Sequence, residues 1–402
     1  MIKRRLGEQY TPLYFLAALG AGGMAVTFFL YLMFMVDHAG MPMVTFDHLY
    51  PLLVGENVVV ASLVGAGMVF ILAFALLHYR LLLWNILEYR RFRKTDRFLE
   101  VRASNDEITL MAIPLTLAMS INVSFIVGAV FVPGLWAYVE TLFPFAIAAF
   151  LAVGAYALKI FTEYLSRVFT NGDFDFDRNN HLGQMVGIFA FAMVAVGLAA
   201  PGAMSHHIEV NATGMFFAIL FTSIATVLGV IKLVLGFKFM FRMGISEVAS
   251  PSLWLPIPIL TLMGITLVRL NFGLDHGFNE PVSKPDLFVL TSTVISLQVL
   301  FGVVGYAVMK RLGYFREYVR GDKSHVGSYS LICPGVALFV FGMFFVNFGL
   351  VHNGLLDRFS VAYFVMLAPL VFLQIKTLAT LLTLNRKLLR AQSIPAAQPV
   401  SA

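Results

Sequence analysis

Ten stretches of this sequence are each mostly apolar for about twenty residues or more, the length a helix needs to cross a hydrocarbon layer. They cover 11–36, 57–80, 108–132, 138–160, 183–204, 212–234, 252–274, 286–310, 329–351 and 359–383. A soluble chain of 402 residues cannot hide that much apolar surface, with 59% hydrophobic and 12% charged residues. An ordinary globular protein carries about a quarter of its residues charged. The sequence therefore predicts an all-α polytopic membrane protein with a single transmembrane domain over 1–390. A disordered cytoplasmic tail is expected over 391–402, where Pro395 and Pro399 fall.

The few charges set the expected orientation. Arg90, Arg91, Arg93, Lys94, Arg97 and Arg102 follow the second span, and Arg167 and Arg178 follow the fourth. Lys238 and Arg242, then Arg316, Arg320 and Lys323, then Arg386, Lys387 and Arg390 follow the later even spans. Loops after the odd spans hold only Lys284 and Arg358. Lys and Arg accumulate on the cytoplasmic side of membrane proteins. Both termini are thus expected in the cytoplasm, in a multi-pass protein of the cell (inner or plasma) membrane. The first span follows Lys3, Arg4 and Arg5 but is too long for a cleaved leader, so it is expected to be retained. No basic stripe lies away from the membrane flanks, which argues against a nucleic-acid partner.

An internal repeat organises the spans. The seventh ends Asn271-Phe272-Gly273-Leu274-Asp275-His276 and the ninth ends Asn347-Phe348-Gly349-Leu350-Val351-His352, an offset of 76. The same offset places Pro258 on Pro334 and Leu262 on Leu338. The even spans each carry a basic residue near the inner end: Arg80, Lys159, Lys232, Lys310 and Lys376. Ten spans thus read as five helical hairpins. The odd members carry Gly20, Gly22, Gly23, Pro114, Pro256, Pro258 and Pro334. Proline inside a helix frees a carbonyl that protein or water must satisfy. Kinked odd helices forming an inner, pore-lining ring, with straighter even helices outside, are the expectation, and Gly20, Pro114, Pro258 and Pro334 are the expected kinks. The plainer reading is that Pro and Gly are simply common in membrane helices.

Arg269 lies about one turn inside the end of the seventh span, and a charge at that depth is a functional candidate. A structural ion pair is the plainer account. Lys159, Lys232, Lys310 and Lys376 read either as an anion-attracting vestibule or as headgroup anchors. Asn271, His276, Asn347 and His352 mark the outer mouth, where helix capping is the alternative. On the ninth span, at about 100° per residue, Phe339 and Phe344 flank Asn347 as gate candidates, while Phe341 lies about 120° away. All four phenylalanines there, Phe345 included, could equally be packing residues. Cys333 is the lone cysteine, which excludes an internal disulfide. No Gly-rich phosphate loop, HExxH or CxxC occurs, so neither an enzyme, a metal nor a cofactor is expected.

Five hairpins, kinked odd helices and a Phe-rich ninth span resemble the TehA and slow-anion-channel superfamily, also called the tellurite-resistance/dicarboxylate transporters. The run Pro12-Leu13-Tyr14-Phe15-Leu16-Ala17-Ala18-Leu19-Gly20-Ala21-Gly22-Gly23 and the segment Thr45-Phe46-Asp47-His48 look like its divergent TsoY branch. That branch includes selenoproteins, and Cys333 would be the natural position for selenocysteine. The resemblance implies a homotrimer with a pore in each subunit, passing a small anion, with a phenylalanine gate on the ninth helix, whose expected depth makes Phe341 a third gate candidate. The competing class is a quinone-handling redox subunit of the NrfD type, whose first span also opens with Pro-aromatic-Leu and Gly-rich residues.

Overall fold

A computed structural model describes residues 2–176 and 179–390. Arg178 and the tail expected over 391–402 lie outside the described residues. The described chain is helical without a sheet, and ten of its helices are long and apolar enough to cross a membrane. They are Pro12–Met35, Val58–Phe92, Asn105–Phe131, Leu135–Asn171, Gly183–Met204, Ile208–Met243, Ser250–Phe278, Lys284–Arg311, Val326–Val351 and Val361–Leu389, here spans 1 to 10. The chain is a multi-pass membrane protein.

The five odd spans begin alike. Each opens with a short 3-10 turn: Pro12–Tyr14, Asn105–Met111, Gly183–Met185, Ser250–Trp254 and Val326–Leu331. The first N–H groups of any helix lack intrahelical acceptors, and tight turns or side-chain caps supply them. The side chains of Thr11, Ser104 and His325 accept from backbone N–H groups two residues on. The α-helical parts then run Phe15–Met35, Ala112–Phe131, Val186–Met204, Pro256–Phe278 and Ile332–Phe344.

The expected proline kinks are therefore corrected. Pro114, Pro258 and Pro334 are each the third residue of an α-helical part, where a missing N–H leaves no helical bond broken. They mark helix starts. Prolines that fall inside continuous α-helices are Pro201 in span 5 and, on the even side, Pro144 and Pro369. Gly20 is a notch rather than a kink, since a Cβ there would meet Ile332 at 2.8 Å.

Alternate spans differ in burial. Within each span's most apolar stretch, 61–94% of residues are buried in the odd spans and 17–28% in the even ones. Each odd span packs on the even span that follows it, and the odd spans pack on one another in the order 1–3–5–7–9 and back to 1. The even helices also outrun the hydrocarbon layer. The helix of span 2 has 35 residues and that of span 6 has 36, or more than 50 Å at about 1.5 Å per residue against a layer of about 30 Å. Span 9 turns π-helical over Phe345–Val351.

The two ends of the described chain meet at one face, where the Lys3 N–H donates to the Leu389 carbonyl at 2.7 Å. Buried carboxylates tie that face together. Glu88 accepts from the N–H groups of Arg5 and Leu6 at 3.0 and 2.8 Å, and Glu107 sits between Arg102 and Arg167, each at 3.0 Å.

Candidate functional site

All five odd spans line one cavity of about 780 Å³. It reaches the face opposite the termini, where His38, His206, His276, His352 and Arg358 border it. Toward the terminal face the lining ends at Leu19, Gly20, Phe189, Pro258 and Cys333. Beyond these, Phe15, Met111, Leu255 and Ile332 pack in one buried cluster.

Arg269 lines the cavity, and its Nη1 donates to the Val196 carbonyl of span 5 at 2.6 Å. Among the described residues it has no carboxylate within ion-pair distance. The tilt of helical side chains toward the N-terminus carries its stem into the membrane. Val196 is three turns into span 5, so the carbonyl meets the charge at depth. A guanidinium has five donors, and one backbone carbonyl leaves most of them facing the cavity.

The ninth-span phenylalanines divide. Phe344 lines the cavity, whereas Phe339 and Phe341 are fully buried outside it. Phe339 lies edge-on to Tyr31 at 5.4 Å. Phe341 fills the space above Gly264, where a Cβ would meet its ring at 2.4 Å. Phe344 belongs to an aromatic collar that the sequence reading did not assemble. Its ring lies 5.5 Å from both Phe34 and Phe348, and Phe348 lies 5.4 Å from Phe272. Phe272 and Phe348 stand at equivalent places in the 76-residue repeat, a signal that was present in the sequence.

Asn347, His276 and His352 line the outer part of the cavity, while Asn271 does not and bonds its own helix at the Leu267 carbonyl. His276 Nδ1 lies 2.6 Å from the Ala203 carbonyl, and the buried Nδ1 of His352 has no hydrogen-bond partner. Of the expected kinks, Gly20 and Pro258 line the cavity and Pro114 and Pro334 do not. Asp275, Asn122 and Thr261 are lining residues outside the expected set.

The even-span lysines lie elsewhere. Lys159, Lys310 and Lys376 are exposed, and none of the four lines the cavity. The ammonium groups of Lys232, Lys310 and Lys376 stand over Phe174, Tyr306 and Phe372 at 4.7, 5.8 and 5.3 Å. This is how long cationic side chains settle at a membrane edge, stem on apolar surface and charge toward water. His78, by contrast, is buried where spans 1, 2 and 3 meet. Its Nδ1 lies 2.8 Å from the Ala18 carbonyl and its Nε2 2.9 Å from Ser120 Oγ. No group of three or more metal-ligating side chains occurs among the described residues.

No protein-family model matches the chain, and no curated protein matches it. Its ten apolar helices give it the build of a membrane transporter or channel.

Proposed function

We propose that the chain is an anion channel or transporter whose passage runs inside one subunit, between the five odd spans. The observation that carries this reading is Arg269, a cation at membrane depth that faces a cavity and has a carbonyl for its partner. A charge so placed costs several kcal/mol unless something compensates it, and an anion in the cavity would do so. The closed packing order of the odd spans supports an inner ring that lines the passage, with the even spans outside it. The collar of Phe34, Phe272, Phe344 and Phe348 would supply an apolar narrowing, which can stop ions by excluding water without any charge. A trimer, each subunit with its own passage, belongs to the same proposal; a monomeric mass in mild detergent counts against that part alone.

Liposomes holding the purified protein should pass chloride or nitrate. Arg269→Gln should lower that flux by about tenfold or more and Arg269→Lys by less, since charge-assisted hydrogen bonds contribute about 1.5–3 kcal/mol. Assembly of both variants is checked by gel filtration. The mostly apolar cavity also favours a second reading, a quinone site. Absence of anion flux together with quinol oxidation by the purified protein decides for that one.

A further inference from the structure

Inward of Arg269 the cavity changes character. Counted from the start of each α-helical part, Asn122 in span 3 and Val196 in span 5 are both eleventh residues. Spans 3 and 5 pack together, and the Asn122 amide meets span 5 at Met193, about one helical turn inward of the Val196 carbonyl that holds the guanidinium. The Asn122 amide N–H reaches only the Met193 thioether, at 3.6 Å, and a thioether is a weak acceptor. Further inward the lining includes Leu19, Met119, Phe150, Phe189, Met193 and Val336, with no charged side chain. Thr261, the polar exception there, is already bonded to the Ala337 carbonyl and the Gln298 amide. Arg269 and Asn122 are thus the last charged and amide groups of the lining before an apolar chamber, with Asp275, Asn347 and Arg358 nearer the mouth.

Below the level of Arg269 such walls do little to replace the hydration shell of an inorganic ion, which could pass but would gain little by staying, so they favour as a bound ligand an anion with apolar surface of its own. The volume of about 780 Å³ also far exceeds one small ion. It falls in the range of about 300–1,000 Å³ typical of pockets that enclose drug-sized ligands, which are apolar with a few placed polar groups. Resting on the anion reading above, we propose that the cavity binds an organic anion with an apolar body. Its carboxylate or sulfonate lies against Arg269 and Asn122, and its body fills the chamber of Leu, Met and Phe side chains. A planar aromatic body suits this lining, because Met sulfur and Phe edges make favourable contacts with ring faces and edges.

The test is calorimetry on the full chain in lipid nanodiscs, with naphthalene-2-carboxylate as the probe, its uncharged methyl ester as a control and empty nanodiscs subtracted. The acid should bind saturably, one per chain, and the ester should not. Arg269→Gln should weaken acid binding by about tenfold or more and Arg269→Lys by less. A second readout needs no variant. Cys333 borders the inner end of the cavity and is the only cysteine, so bound naphthoate should slow its labelling by N-ethylmaleimide, followed by mass. Equal binding of acid and ester overturns the inference. So does absence of saturable binding and of Cys333 protection in protein that still passes chloride, and the anion reading then stands. Loss of both chloride flux and naphthoate binding sinks the reading beneath it.

Discussion

Spans 7 and 8 are similarly apolar, yet one is mostly buried and the other mostly exposed. The same holds along the whole chain, so apolarity marks which segments cross the membrane and not which of them meet lipid. The difference lies in shape. In a bilayer, lipid tails are as apolar as Leu, and helices associate through close packing at small residues. On the odd side, a Cβ at Gly20, Gly23 or Gly264 would meet Ile332, Val336 or Phe341 within 3 Å. On the even side the tight glycines are confined to the faces turned to other spans: on span 8 a Cβ at Gly305 would meet Trp254 at 2.4 Å, whereas one at Gly302 would meet nothing within 4 Å. Charge follows the same division: Arg269 faces inward on span 7, while Lys310 stands outside on span 8.

The phenylalanines of span 9 give the sharpest test of inside against outside. Phe341 is a packing residue, and Phe341→Ala should cost about 3 kcal/mol or more of stability, read as a lower thermal midpoint, without raising flux. Phe344→Ala should raise anion flux severalfold in protein that assembles normally. If Phe344→Ala leaves flux unchanged, the collar is not a gate. If Phe341→Ala opens the passage, the division between lining and packing residues is wrong.

Next in size is a pair of glycines. Gly264→Ala must displace the Phe341 ring, and overpacking of that kind costs about 1–3 kcal/mol. Gly302→Ala meets no neighbour, and alanine favours a helix over glycine by about 1 kcal/mol, so its thermal midpoint should hold or rise. Equal losses in both variants would mean that span 8 is covered on that side as span 7 is.

Much of this was legible in the sequence, for physical reasons that also mark where it stopped. Ten spans follow from hydropathy because the bilayer imposes one length on all of them. The ends of the even spans did not follow: the second was placed at 57–80, yet its helix runs to Phe92. Charge ends an apolar stretch, but Arg, Glu and Tyr continue a helix well enough. Arg269 was legible because an intramembrane charge is rare. Which span 9 residues line the cavity followed only in part, because Asn347 is not the centre of the lining face. The lining stripe runs Cys333, Val336, Ala337, Val340, Phe344, Asn347 and Phe348, then Val351 and His352, so Asn347 lies toward one side of it, and Phe339 falls beyond that side. The prolines were read as breaks because nothing in the sequence announced the 3-10 turns before them. One signal went unused. The offset of 76 also joins Gln298 to Gln374, and each is a buried amide on an even span that donates to a threonine of an odd span, Thr261 at 2.5 Å and Thr27 at 2.9 Å.

The two repeats also differ at their mouths, and pH reads the difference. His276 has a carbonyl partner, while burial, and then the charge of Lys284, push the His352 imidazole below its usual pKa. A histidine whose folded pKa is lowered binds fewer protons folded than unfolded, so stability rises with pH across the interval between the two values. The thermal midpoint should hold above about pH 6.5, the unfolded value, and fall as the pH drops toward the folded value. His352→Gln should flatten that fall. An unchanged slope would assign the dependence to other groups, His325 among them, which burial also pushes down.

The smallest expected effect is the most exacting for the inside–outside division. Lys159, Lys310 and Lys376 carry three positive charges on the second halves of even spans, and the sequence allows them to feed a vestibule. Their side chains are exposed on the outer spans and away from the cavity lining. At physiological ionic strength the field of an exposed charge is screened within about 8 Å. Replacing all three with Gln should therefore leave anion flux and its salt dependence unchanged, while Arg269→Gln alters the flux. A loss of flux in the triple variant, with assembly intact, would mean that anions approach along the outer face of the even helices. The passage would then have to be sought between subunits rather than among the odd spans.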